Sequence, residues 1–214
     1  MIKNIFFDFN GTLLDDLKLC ADVEAEISRE YGLPVVDINF YLENFCFPVK
    51  NYYQKCGFDF TKIDYKDISK RFFEGYLAKE ETETHLHKGV KETLKKLKEK
   101  NVKLYCYSAS ERTILEKQLK FFGILDYFDG IIASDNRAAK GKLEYGKEYI
   151  LNHNIDTKNT IMLGDTAHDF EVAKALGLTP VLVNFGHNSE KVLKALNVPI
   201  ISQFSDILDI AEKY

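Results

Sequence analysis

Five short runs of nearly continuous apolar character constrain this fold most: Ile2–Asp8, Val102–Ser108, Gly130–Ser134, Thr160–Gly164 and Pro180–Asn184. Runs of this kind, without polar alternation, suit parallel strands covered on both faces. Helical spacing separates them. Val90, Leu94 and Leu97 stand at i, i+4 and i+7; Leu115, Leu119 and Phe122 repeat the spacing, as do Ile207, Ala211 and Tyr214. Strand–helix alternation predicts an α/β core with a doubly wound parallel sheet and right-handed crossovers. In such sheets the chemistry gathers at the carboxyl ends of the strands.

Residues 15–87 read differently. Leu17, Cys20, Val23, Ile27 and Tyr31 form one stripe at helical spacing. Val49, Tyr52/Tyr53 and Cys56 form a second, and Tyr65, Ile68, Phe72 and Tyr76 a third. Gly32-Leu33-Pro34 and Gly57 interrupt them, and no strand is expected here. The pattern predicts a small helical bundle inserted after the first strand, its aromatic stripes forming the bundle core. The expected division is a Rossmann-like core of residues 1–14 and 88–214 with a helical insert between. A chain of 214 residues is long enough for both.

Composition excludes several functions. The net charge of −4 rules out a broadly basic nucleic-acid surface but leaves room for a local basic pocket. No apolar run approaches the roughly 18 residues of a membrane helix. Met1 to Asp8 reads as a strand and not as a signal peptide. The four cysteines form no C-x-x-C pair and no zinc spacing, as expected of reduced thiols in the cytoplasm.

The chemistry-bearing residues follow the strands. Asp8 ends the first and leads into Phe9-Asn10-Gly11-Thr12. A carboxylate there, before a glycine turn, is an oriented nucleophile or metal ligand, or else the cap of a turn. Ser108 and Ser110 close the second strand, as phosphate-binding hydroxyls or as caps of the helix expected near Glu111. Lys140 and Lys142 precede a helix expected near Leu143. The fourth strand runs into Gly164-Asp165-Thr166-Ala167-His168-Asp169. Its two carboxylates, four residues apart, suit a hard cation such as Mg²⁺, or decorate a helix N-terminus. His85 and His87 are expected to be solvated linker residues, and His168 a variable loop position.

Taken in order, these segments resemble the motifs of the haloacid dehalogenase superfamily, and most closely its phosphoglycolate phosphatase-like branch. Asp8-Phe9-Asn10-Gly11-Thr12 stands for D-x-D-G-T, Ser108 for the second-motif hydroxyl, Lys142 (with Lys140 as the alternative) for the third-motif lysine, and Gly164 to Asp169 for G-D-x-x-x-D. The resemblance spans essentially the whole chain, the insert corresponding to a helical cap. It implies a Mg²⁺-dependent phosphatase of a small phosphorylated metabolite, monomeric or homodimeric, working through an aspartyl-phosphate on Asp8. Mg²⁺ is then held by Asp8, the main-chain carbonyl of Asn10, Asp165 and Asp169. Gly11, Thr12, Ser108, Ala109 and Lys142 bind the phosphate, and Lys50 is expected to reach the substrate's distal group.

One position departs from the pattern. The family's usual general acid/base is the second Asp of the first motif, and here it is Asn10. An amide keeps the shape but cannot shuttle a proton, a function worth about 10²–10⁴-fold. An impaired phosphatase, a preference for leaving groups that need no protonation, and a non-catalytic phospholigand-binding relative all remain open. So does phosphonatase-like chemistry through a cap lysine such as Lys50. Asp15 and Asp16 are expected at the cap hinge and not in the chemistry.

Overall fold

The computed structural model describes residues 2–134 and 141–213. Strand β1 (Asn4–Phe7) is followed by a two-residue strand β2 (Leu14–Asp15). Helices α1 (Leu17–Glu30), α2 (Ile38–Asn44), α3 (Val49–Lys55) and α4 (Tyr65–Glu83) come next, and β3 (His85–Leu86) leads back. The remainder alternates: α5 (Val90–Glu99), β4 (Lys103–Glu111), α6 (Arg112–Phe121), β5 (Gly130–Ser134), α7 (Lys142–His153), β6 (Thr160–Gly164), α8 (Ala167–Leu176), β7 (Thr179–Val183), α9 (Glu190–Lys194), β8 (Ile200–Ile201) and α10 (Ile207–Lys213).

Six strands form one parallel sheet in the order β5-β4-β1-β6-β7-β8. The chain leaves β1 for β4 on one side and later crosses to β6 on the other. The strand order therefore reverses about β1, which opens a crevice beyond its carboxyl end. The fold expected from strand–helix alternation is the one observed.

Period-2 alternation splits the core into two layers. Ile5, Phe7, Leu104, Cys106 and Leu163 pack on one face with Leu94, Leu97, Leu119 and Ile207. Phe6, Tyr105, Tyr107 and Met162 pack on the other with Val172, Ala173 and Leu176. Phe6 and Phe7 are fully buried, each contributing about 1.5–3 kcal/mol through removal from water. Buried on both faces, β1 leaves its last carboxylate with no option but the open end of the sheet.

Helices α1 to α4 bury a third cluster of their own, which includes Leu19, Cys20, Val23, Tyr41, Tyr52, Tyr53, Phe58, Ile68 and Tyr76. All three aromatic or aliphatic stripes lie in it, as their helical spacing implies. Two short features depart from expectation. The segments entering and leaving the helices pair antiparallel, Leu14 with Leu86 and Asp15 with His85. Strand β4 runs on to Glu111 with an irregularity after Tyr107, so Glu111, and not Ser110, occupies the N-cap of α6. Two-residue strands carry too few side chains to show a period. Among the described residues, no helix is long and apolar enough to cross a membrane. Lys140 and Tyr214 lie outside the described residues.

Candidate active site

The parallel register brings the sequence-predicted residues to one end of the sheet. Phe7 sits beside Cys106 of β4 and Leu163 of β6. Asp8, Ser108 and Asp165 therefore leave adjacent strands at the same edge. The Asp8 N–H donates to the Leu163 carbonyl at 2.9 Å, holding the carboxylate at the rim.

Lys142 opens α7, one residue before the expected start, and its side chain is buried. Its ammonium donates to Asp8 Oδ1 and, at 2.7 Å, to Asp169 Oδ1. Asp169 caps a helix N-terminus, one of the two roles the sequence allowed it, and also meets Lys142. Its Oδ2 accepts from the Thr166 hydroxyl at 2.6 Å and the Thr166 N–H at 3.1 Å, completing a capping box on α8, while Oδ1 faces Lys142. Asp165 accepts from the Thr12 hydroxyl at 2.9 Å and from the His187 N–H at 2.7 Å. Carboxylate oxygens of Asp8, Asp165 and Asp169 lie within 4.8 Å of one another.

Burial comes first in the electrostatics of these groups, and neighbouring charges then reinforce or oppose it. Burial, reinforced by Asp169 and Asp165 and only partly offset by Lys142, pushes Asp8 up to about 8. Burial and Asp169 push Asp165 up to about 6 against the opposing pull of His187. Asp169 moves down: burial works against it, but the Lys142 charge and the Lys142 and Thr166 hydrogen bonds outweigh that. Lys142 stays charged, because Asp169 and Asp8 overcome its burial.

A second buried cluster adjoins the first, and sequence reasoning missed it. Asp16, expected only at the hinge, accepts from Asn10 Nδ2 at 2.8 Å, the Gly11 N–H at 2.9 Å and the Tyr76 hydroxyl at 2.9 Å. His187 Nε2 lies 3.0 Å from its other side, and the Cys20 thiol points at it from 3.7 Å. Tyr41 of α2 holds His187 Nδ1 at 3.0 Å. Burial would lower the His187 pKa, but the Asp16 charge and hydrogen bond, with Asp165 and Asp8, push it up to about 9. Asp16 is held low by His187 and its donors despite burial. Asp16, Cys20 and His187 have the donor set of a metal site, but the imidazolium already balances the carboxylate. The available sequence signals were the Asp15-Asp16 doublet and a Gly-His-Asn turn closing β7.

Glycine is required where the clusters touch. Gly11 has φ +74°, and a Cβ there would stand 2.3 Å from Asp165 Oδ2 and 2.4 Å from His187 Cδ2. A Cβ on Gly186 would stand 2.4 Å from the Asp165 Cβ. The loop after β7 also binds the helical insert, Asn188 Nδ2 donating to the Phe45 carbonyl at 3.0 Å and the Ser189 N–H to the Leu42 carbonyl at 2.9 Å.

Several expectations need correction. Thr12 is fully buried and spends its hydroxyl on Asp165, so that hydroxyl orients a carboxylate and does not face a phosphate. Ser108 is buried at the strand end, accepting from the Ser110 N–H at 3.1 Å, with Ala109 exposed beside it. Lys50 is not brought to the site; its ammonium lies 5.2 Å over the Phe60 ring within the insert. His87 is not solvated: Nε2 lies 3.1 Å from the Gly11 carbonyl and its ring packs on Phe185. His168 stacks on Phe47 of the insert at 4.6 Å.

Fold and site together define an α/β protein with a carboxylate–lysine centre at the switch point of its parallel sheet. The sequence profile of the haloacid dehalogenase-like hydrolases matches residues 5–183, and the chain belongs to that family. A phosphoglycolate phosphatase of Photobacterium profundum is 24% identical over 221 residues, covering 99% of this chain and 96% of that protein. A pyrophosphatase, PpaX of Halalkalibacterium halodurans, is 29% identical over 126 residues, covering 58% and 59%. The structure of a haloacid dehalogenase-like hydrolase of Streptococcus pneumoniae superposes with a TM-score of 0.81 at 22% identity, covering 98% of both chains.

Proposed function

We propose that this chain is a Mg²⁺-dependent phosphatase of a small phosphorylated metabolite, with Asp8 as nucleophile. The observation that carries the reading is the Lys142 ammonium set between Asp8 and Asp169, with Asp165 alongside, at the carboxyl end of the sheet. That arrangement gives a phosphoryl group an oriented nucleophile and a fixed cation at once. Likeness to phosphatases of the same family supports it. The relatives' names cover both ester and anhydride hydrolysis, so likeness alone does not choose the leaving group.

The donor set fits the metal. Three carboxylates offer hard oxygen ligands close enough to share one ion. Asp8, Asp165 and the main-chain carbonyl of Asn10 would hold Mg²⁺, with Asp169 direct or through water. When bound, the ion supplies charge neutralisation for the meeting of a carboxylate with a phosphoryl group. The protein's residues do the rest. An Asp8 oxygen forms a bond to phosphorus as the bond to the leaving oxygen breaks. Water then attacks the aspartyl-phosphate and releases phosphate. Ser108 and Lys142 hold the other phosphoryl oxygens, with the Gly11 turn lining the pocket. Residues 15–87 act as the cap that excludes water and selects substrate. Three buried thiols and a fourth half-buried, none bridged, suit a cytoplasmic enzyme. A phosphonatase-like role for Lys50 is not proposed, given its place over Phe60.

The test is phosphate release from p-nitrophenyl phosphate and acetyl phosphate. Turnover is expected to require Mg²⁺, to stop with a chelator and to vanish in Asp8→Asn. Turnover that survives Asp8→Asn overturns the nucleophile assignment.

A further inference from the structure

We infer that the site is built for phosphoryl groups whose leaving group departs as a stable anion, namely acyl phosphates and phosphoanhydrides, and that it discriminates against alkyl phosphate esters. The inference rests on the hydrolase reading above and names its substrate class.

The argument is a census of protons around Asp8. Asn10 Nδ2 donates to Asp16 Oδ2 at 2.8 Å and to the Tyr76 hydroxyl oxygen at 2.9 Å. A flipped amide would set its carbonyl oxygen against the Asp16 carboxylate, acceptor against acceptor, so the orientation is determined. Asn10 therefore has only Oδ1 left, which accepts and cannot give. The Tyr76 hydroxyl donates to Asp16. Both ring nitrogens of His187 are engaged, with Tyr41 and Asp16. His87 Nε2 lies against the Gly11 carbonyl. Asp165 and Asp169 act as acceptors. Lys142 points N–H groups at Asp8 and Asp169. Of the neutral amides and hydroxyls around Asp8 among the described residues, Asn10, Tyr76 and Thr12 spend their protons on Asp16 or Asp165, and Ser108, whose oxygen accepts from the Ser110 N–H, is as weak an acid as the alcohol it would have to protonate.

Leaving groups differ sharply in what they ask of such a site. An alkoxide is the conjugate base of an acid about as weak as water, and leaves well only if protonated. A carboxylate, with a pKa of about 4, or a phosphate monoester, with a second pKa of about 6, leaves without help. The balance closes in both steps. Asp8 forms its bond to phosphorus as the carboxylate or phosphate departs with the bonding pair. Water then forms the new phosphorus–oxygen bond, Asp8 departs as a carboxylate, and the product is dihydrogen phosphate that ionises in solvent. The second step thus expels a leaving group of the same class as the first. A loose transition state also asks little of a base, because the attacking water is barely bonded when phosphorus is transferred.

The experiment measures kcat/KM with Mg²⁺ for acetyl phosphate, pyrophosphate, glycerol phosphate and a series of aryl phosphates graded in leaving-group acidity. The native chain is expected to show a dependence on leaving-group pKa as steep as the uncatalysed reaction, with acetyl phosphate or pyrophosphate favoured over glycerol phosphate. Asn10→Asp is expected to raise the ratio of glycerol phosphate to acetyl phosphate turnover by about 10²–10⁴-fold and to flatten the aryl series. The native series alone decides if that variant does not fold. A flat native series, or glycerol phosphate turned over as well as acetyl phosphate, overturns this inference and leaves the hydrolase reading intact. No Asp8-dependent turnover of any substrate overturns both.

Discussion

Replacing His187 by Gln isolates one charge at the centre of the molecule. Gln can still donate towards Asp16 and accept from Tyr41, so the hydrogen bonds are replaceable and the positive charge is not. The Asp16 partnership raises the His187 pKa from 6.5 to about 9. At about 1.4 kcal/mol per unit, that shift corresponds to a contribution on the order of 3 kcal/mol. Its sign follows from the direction. A histidine whose folded pKa is raised binds its proton more tightly folded than unfolded. The stabilisation is complete below pH 6.5 and disappears as pH rises through about 9. Urea denaturation of both chains, with a chelator present, is the assay. At pH 6 the variant is expected to be about 3 kcal/mol less stable, about 6–12 °C in Tm for a domain of this size. At pH 10 the gap is expected to close to about 1 kcal/mol, the size of an ordinary hydrogen-bond difference. A gap equal at both pH values, or a variant as stable as the parent at pH 6, refutes the ion pair.

Two further substitutions test the neighbouring geometry. Gly11→Ala places a methyl group 2.3 Å from Asp165 Oδ2 at a positive φ, and is expected to lower stability by about 1–3 kcal/mol in urea melts and abolish Mg²⁺-dependent turnover. Lys50→Ala is expected to leave kcat and KM within about twofold, because its ammonium rests on Phe60 and an exposed cation–π contact is worth only about 0.5–1 kcal/mol. A large rise in KM would return Lys50 to the substrate.

The parts legible in the sequence are those that depend on period and order. The strands β5 and β6 were readable to the residue, and β1, β4 and β7 to within a few residues at either end. The stripes of α1, α3 and α4 likewise showed themselves, because a buried face must repeat at the geometry of its element. Asp8, Ser108, Lys142 and the Asp165–Asp169 pair could be placed because each follows a readable strand. Asp16 and His187 could not. They stand 171 positions apart in sequence and meet only because the segment after β1 and the loop after β7 converge over the same sheet edge. No local pattern encodes that meeting. Lys50 failed in the opposite way: its position in the chain pointed at the site, but its helix face turns it to Phe60.

The charges at the sheet edge explain why both clusters are needed. Among the described residues, the cations in contact with Asp8, Asp16, Asp165 and Asp169 are Lys142 and His187. His187 serves Asp16 through its ring and Asp165 through its backbone N–H, and Lys142 serves Asp8 and Asp169. Of these four carboxylates, Asp8 and Asp165 are pushed upward, by burial first and by their acidic neighbours second. In the proposed reaction, a cation among Asp8, Asp165 and Asp169 would favour the ionised form of Asp8 that the nucleophile role requires. The Asp16 carboxylate anchors Asn10, Tyr76 and His187, which ties the helical insert to the site.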